Sequence, residues 1–402
     1  MAKHNTRKVL FLLRTYNDID HMAPIIWKVA SCGWPTFFVF VDQDYSTDYR
    51  IGFLMRSGAT MLRATSIKWY CSRLRTWIVF RPLRRVVDRL VAYVLGSGLL
   101  LWHGIEIVAN EWAGPYGRER SEFFLRPASL LRLPIYALPH GYSIFLNPNF
   151  NQTLKKLMSK GKSGLDFSNR EFFTRYVVQS VHHKEQNINY GIRSEKILVM
   201  GSARFCDEWS RINLEILGAG KRNLKSDGFA VLFFLPHWDY NVYRTKCIDL
   251  IRKISLEREI MIFVKAHTRG SGALSADEKE LLSKTNNVNF PGNSEHSVTL
   301  ISAVDVVVNF GSSIAFEALR QCKPVVNAKY LHANETIFDS SGVVFDVESE
   351  AATLDVIRRV RDGDGPTIDP KKVEAFLDER VAFGSPSQQV LSNYMSLLAS
   401  AQ

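Results

Sequence analysis

Gly311, Ser312 and Ser313 have the residue types and spacing to hold a phosphate. They follow the apolar run Val304-Asp305-Val306-Val307-Val308-Asn309-Phe310 and lead into Ile314-Ala315-Phe316-Glu317. A buried strand that turns through glycine into a helix opened by two serines offers backbone N–H groups and hydroxyls to an anion. Plain helix capping by the same serines is the alternative reading. Glu317, in the first turns, is placed to bind sugar or ribose hydroxyls. Lys265-Ala266-His267-Thr268-Arg269-Gly270 follows a second apolar run, 260–264. Lys265, His267 and Arg269 on one loop suit a pyrophosphate, and a solvated basic loop is the alternative. His237, in Pro236-His237-Trp238-Asp239-Tyr240-Asn241, suits the lining of a nucleotide pocket, against a merely structural aromatic cluster.

The first half carries a different chemistry. Pro139-His140-Gly141-Tyr142 follows the apolar run 135–138. An imidazole on such a turn is positioned to take a proton, and Gly141 lets the backbone pass close to a ligand. Glu111, after the run 106–109, is a candidate contact for an acceptor substrate. His182-His183 lacks a third ligand at metal spacing and reads as the solvent face of a helix. No metal site is expected.

These residues must be delivered by elements of regular structure. Short apolar runs at 8–14, 36–41, 106–109, 135–138, 175–178, 197–200, 229–235, 260–264, 304–308 and 324–326 alternate with longer helix-like segments. That alternation predicts parallel α/β sheets with crossover helices, here in two doubly wound domains. The breaker-rich stretch 218–228 predicts the linker, so the domains run 1–218 and 226–380. Residues 158–169, with lysines around two glycines, read as a surface loop. In open parallel sheets ligands bind beyond the carboxyl ends of the strands, where every candidate above sits.

The 402 residues are 46% hydrophobic and 23% charged, the composition of a globular chain of about two domains. No run of about 18 uninterrupted apolar residues suggests a spanning helix, and the strand-like start leaves no room for a signal peptide. Five scattered cysteines without a C-x-x-C pair argue against a disulfide framework and for a reducing cytoplasm. With 51 basic and 40 acidic residues the net charge is +11, and the partner that implies is anionic. Residues 63–89 hold eight basic side chains and one acid, Asp88. Aromatic and apolar residues interleave with arginines from Lys68 to Trp102, in two helical pieces around Pro82. That pattern predicts docking on an anionic membrane surface, against a helix simply packed on its own domain. No nucleic-acid-binding motif is present.

Taken in order, the motifs resemble a GT-B glycosyltransferase of the surface or capsular polysaccharide type, related to the CDP-glycerol glycerophosphotransferases that build teichoic acids. The resemblance covers about residues 135–340. It rests on His140-Gly141, on the turn Gly201-Ser202-Ala203-Arg204-Phe205-Cys206-Asp207, and on Pro236-His237-Trp238-Asp239. Lys265-Ala266-His267-Thr268 and Asn309-Phe310-Gly311-Ser312-Ser313 complete it. Ala203 replaces the family's proline, and Asp239 stands where polyol-phosphate transferases have arginine. The resemblance implies two Rossmann-like domains facing across a cleft, with 381–402 crossing back onto the first.

It further implies a nucleotide-activated donor in the second domain, used in capsule, O-antigen or teichoic-acid-like cell-envelope synthesis. His237, Lys265, Arg269, Gly311, Ser312, Ser313, Glu317 and Arg204 would bind that donor, with the helix dipole and cationic side chains offsetting phosphate charge. His140 and His267 would be catalytic, His140 as the base. Glu111 and Gly141 would meet a glycan or lipid-linked acceptor. No cofactor or metal is implied, and no Asp-x-Asp motif is present. The location implied is cytoplasmic, peripheral at the inner face of the cell membrane. A CDP-polyol phosphotransferase, an NDP-sugar 2-epimerase and a non-catalytic binding protein remain as alternatives. The paired acids of an epimerase are not evident in the sequence.

Overall fold

A computed structural model describes residues 6–63, 73, 75–78, 80–112, 121–160, 165–218, 228–267, 273–292, 295–383 and 386–400. Arg269 and most of the expected linker lie outside them, as do Lys68, Trp69 and Tyr70. The chain divides into two compact units, the first of residues 1–142, 166–209 and 378–402, the second of 143–165 and 210–377. Compared with the sequence boundaries, the second unit takes in 143–165 and begins near 210.

The first unit holds β1 (Val9–Leu13), α1 (Tyr16–Ser31), β2 (Thr36–Phe40), α2 (Tyr49–Arg56) and β3 (Thr60–Met61). After these come the continuous helix α3 (Pro82–His103), β4 (Ile107–Glu111), α4 (Glu122–Leu130), β5 (Ile135–Leu138), β6 (Arg175–Val178) and β7 (Ile197–Val199). All its strands pair in parallel in the order β3-β2-β1-β4-β5-β6-β7. The register is set by apolar pairs such as Leu10↔Phe37 and Leu10↔Val108. Strands buried on both faces need no alternation, which is why they read as unbroken Val/Leu/Phe runs. Leu10, Leu12, Val108, Ala137 and Val178 form the middle of one core layer.

The second unit repeats the plan with β8 (Phe229–Phe234), α5 (Arg244–Ser255), β9 (Ile260–Lys265) and β10 (Val288–Asn289). It continues through α6 (Ser297–Ala303), β11 (Val306–Asn309), α7 (Ala315–Arg320), β12 (Val325–Ala328) and β13 (Phe345–Val347). Its parallel sheet is ordered β10-β9-β8-β11-β12-β13. Val231, Phe233, Ile262, Val308 and Val326 pack with Ile251 and Ile254 of α5. In both sheets the strand order reverses beside the first strand, between β1 and β4 and between β8 and β11. Each reversal opens a crevice at the carboxyl edge, the place where doubly wound sheets bind ligands.

The last helix, α8 (Val390–Ala399), belongs to the first unit and packs on α1. Its seat is the turn at Gly201, with φ +79°, where an added Cβ would lie 2.6 Å from the Val381 carbonyl. Ser202 N–H donates to that carbonyl at 2.7 Å, and Tyr394 Oη donates to Gly201 O at 2.9 Å. Only glycine tolerates both this backbone and this approach.

α3 departs from the sequence expectation. By length and composition it is sufficient to cross a membrane, although no uninterrupted apolar run announces it. The helix continues from Pro82, a first-turn position that suits proline, through the arginines and a π turn at Ala92–Gly96.

Candidate functional site

The switch point of the first sheet gathers four polar side chains that the sequence places far apart. Arg14 follows β1, Asp18 lies in the first turn of α1, Glu111 ends β4, and His140 follows β5. Asp18 is wholly buried. Its Oδ2 accepts the backbone N–H groups of Arg14 and Thr15, both at 2.7 Å, the reach-back of a helix capping box. Its other oxygen, Oδ1, lies 2.5 Å from His140 Nδ1. Glu111 Oε2 stands 3.3 Å from the same nitrogen, and Arg14 pairs with Glu111 Oε1. Burial raises the pKa of Glu111, opposed by His140 and Arg14.

The imidazole itself keeps partial access to solvent, at 23%. A carboxylate on Nδ1 fixes the proton there and makes Nε2 the basic nitrogen, the arrangement of a general base held in one tautomer. Behind His140, the Tyr142 hydroxyl donates to Arg380 O at 2.6 Å and its ring meets His183 edge-on at 4.6 Å. The loop is therefore held from both sides. Gly141 is different: its backbone is unstrained, and an added Cβ would meet nothing within 4 Å. The glycine leaves open space beside the histidine and is not required by the turn.

Asp18 and Arg14 were absent from the sequence reading. The available signal was Thr15-x-x-Asp18 directly after a strand, a capping-box spacing. Asp18 and Glu111 also supply a pair of acids that the sequence did not reveal. With His140 they offer three ligand atoms within 4.8 Å of one another, a spacing suited to a cation. Here Arg14 already brings a positive charge onto Glu111. His183 corrects the expected solvent face of its helix: it is buried, with Ser180 Oγ 3.2 Å from Nδ1.

At the switch point of the second sheet, β8, β9 and β11 deliver His237, His267 and Gly311-Ser312-Ser313 to one edge. The rings of His237 and His267 lie 6.0 Å apart, edge to face, and Tyr240 lies 5.6 Å from His237. Tyr240 stacks on Phe145 at 5.3 Å. Phe145 and His332 in turn lie 3.6 and 3.8 Å from where a Cβ on Gly311 would be. Gly311 has φ +95°, so the turn requires glycine. Asn309 Oδ1 accepts from Ser312 N at 3.1 Å, and Ser312 Oγ accepts from Ile314 N at 3.3 Å. The serine oxygen thus holds the turn before α7, whose N-cap is Ile314, and the hydroxyl hydrogen can be given to a phosphate oxygen.

Two expected donor contacts take other partners. Lys265 is buried, donates to the Gly292 carbonyl, and burial lowers its pKa. Glu317 is buried and accepts from Ser297 Oγ at 3.4 Å, tying α7 to α6. α7 has only six residues, so its dipole is short and side chains carry more of any anion binding than the sequence implied. Arg204 lies in the first unit, 3.2 Å from Asp20, which also pairs with the fully buried Arg50. His332, not anticipated, is buried beside Gly311, its pKa lowered by burial, and its Nε2 has no hydrogen-bond partner.

No family model and no curated protein matches the sequence. Solved structures do match along the whole chain. A glycosyltransferase from Rickettsia africae ESF-5 aligns with 99% of this chain and 100% of its own, at 16% identity and TM-score 0.58. UDP-GlcNAc 2-epimerase from Neisseria meningitidis, bound to UDP-GlcNAc, aligns with 97% and 100%, at 12% and 0.59. Anabaena Alr3699/HepE in complex with UDP and glucose aligns with 98% and 100%, at 14% and 0.57. At these identities the likeness is one of fold: two Rossmann-like units of the GT-B type.

Proposed function

We propose that this chain is a glycosyltransferase using a nucleotide-activated sugar, with the donor on the second unit and the acceptor on the first. The observation that carries the reading is the pair of switch points with complementary chemistry. One bears a histidine held by a buried carboxylate, the other a glycine–serine turn with two histidines. The UDP and UDP-sugar complexes among the similar structures support a nucleoside diphosphate as the donor's activating group.

In the reaction the acceptor hydroxyl oxygen attacks the anomeric carbon, and the bond from that carbon to the phosphate oxygen breaks. The nucleoside diphosphate leaves with the electron pair, and the hydroxyl proton passes to His140 Nε2. Ser312, Ser313, His267 and His237 meet the phosphates and Glu317 the ribose or sugar hydroxyls, with Lys265 and Arg269 adding positive charge. The product is a surface polysaccharide such as a capsule, and the acceptor is a glycan or lipid-linked saccharide. The enzyme works in the cytoplasm, peripheral at the inner face of the membrane.

A second reading, an NDP-sugar 2-epimerase, is favoured by one observation: Asp18 and Glu111 both reach the same imidazole. Incubation with UDP-GlcNAc and no acceptor separates the two. An epimerase releases a 2-epimeric sugar in quantity, whereas a transferase turns over only when an acceptor is supplied.

Two further expectations follow. Changing Ser312 and Ser313 together to alanine should weaken nucleotide binding by about 1–3 kcal/mol, the scale of hydrogen bonds to a charged group. Calorimetric titration of the folded variant with unchanged affinity would remove the serines from the donor site. Activity should also survive excess EDTA, because Arg14 supplies at Glu111 the charge a cation would bring. Complete loss on chelation, restored by magnesium or manganese, would assign Asp18, Glu111 and His140 to a metal instead.

A further inference from the structure

Nine of the nineteen large hydrophobic side chains exposed among the described residues fall between residues 77 and 102, on α3 and just before it. Leu83, Val86, Leu90 and Val94 are all exposed, at steps of three, four and four residues, and so form one stripe. Trp77 and Trp102, 85% and 86% exposed, stand at the two ends of the segment.

The stripe cannot turn inward. On the inward face Ala92, Gly96 and Leu100 are buried. At Gly96 the helix backbone comes so close to α4 that an added Cβ would lie 1.7 Å from the Phe123 carbonyl. Val87 and Val91 pack against the same core. Charge marks what would cover the outer face. Arg84, Arg85 and Arg89 lie on the first half of the helix, with Arg81 directly before it and Asp88 as the helix's one acid, and Arg89 is exposed.

We propose that α3 lies in the plane of an anionic phospholipid surface, its leucine–valine stripe at the headgroup–acyl boundary and its arginines among the phosphates. Amphipathic helices with a basic flank bind in this way, and tryptophans favour that interfacial depth. A spanning orientation is opposed by the arginines, which are costly at a bilayer midplane. The fixed seat on α4 also opposes it. Because the helix is locked to its unit, docking would hold the first unit in one orientation at the membrane. The proposal deepens the membrane location given above and rests on no catalytic step, so its failure leaves the transferase reading standing.

The test is co-sedimentation of the full chain with vesicles of phosphatidylcholine alone and of phosphatidylcholine with phosphatidylglycerol, at low and high salt. Wild type should bind the anionic vesicles at low salt and be released by high salt or carbonate. Arg84→Ser with Arg89→Ser should weaken binding about thirty-fold, the factor for two arginines near an anionic surface. Leu83→Ser with Leu90→Ser should also weaken it, and both variants should melt like wild type because the altered side chains are not buried. The proposal is overturned if wild type ignores anionic vesicles at low salt, or if neither variant changes binding. Resistance to carbonate would show a spanning helix. A dimer that becomes monomeric in the leucine variant would show the stripe covered by a second copy of the chain.

Discussion

His140→Ala should lower turnover by about 10²–10⁴-fold while leaving nucleotide affinity nearly unchanged. The imidazole is half-buried at the first sheet's switch point, with Nδ1 held 2.5 Å from Asp18. Its loss removes a base without touching the second unit's turn at Gly311. In free-energy terms the drop is about 3–5 kcal/mol of transition-state stabilisation. Steady-state rates with donor and acceptor, beside calorimetric titration with the nucleotide, separate the two effects. Near-wild-type turnover in the variant would dismiss the histidine as base.

Asp18→Asn should cost nearly as much, about 10²–10⁴-fold, for a different reason. An asparagine oxygen can still accept the N–H groups of Arg14 and Thr15, both at 2.7 Å, so the start of α1 should survive. The amide nitrogen then faces His140 and favours the tautomer with its proton on Nε2, which can no longer accept one. Turnover should therefore fall in a variant that still melts like wild type and still binds nucleotide. A merely structural role would lower the melting temperature and leave turnover of the folded variant near that of wild type.

The parts of the fold legible in the sequence are those that burial writes as composition. β5 and β6 occupy the expected residues, and the other long strands differ by one to three at their ends, because a strand covered on both faces must be apolar throughout. β3 and β10 escaped, having two residues each, too few to make a run, and β13, Phe345-Asp346-Val347, is interrupted by a charge. Gly311 was readable because only glycine suits its positive φ. The Asp18–His140 contact was not, since it spans 122 positions and exists only once β1, β4 and β5 align. Gly141 and Gly201 show the same limit from the other side. Both look like turn glycines, yet one leaves room for a ligand and the other seats the returning C-terminal segment.

The proposed reaction requires the second unit to bind a nucleoside diphosphate. Thermal unfolding of the full chain with UDP, CDP and GDP, for wild type and for Glu317→Ala, measures this directly. A nucleotide at a hundred times its dissociation constant stabilises the native state by about 2.7 kcal/mol. In a unit of this size that raises its melting temperature by roughly 5–10 °C. Such a rise is expected with at least one of the three in wild type, and a smaller rise in the variant at the same concentration. No rise with any of them, at concentrations up to saturation of a weak site, would contradict it.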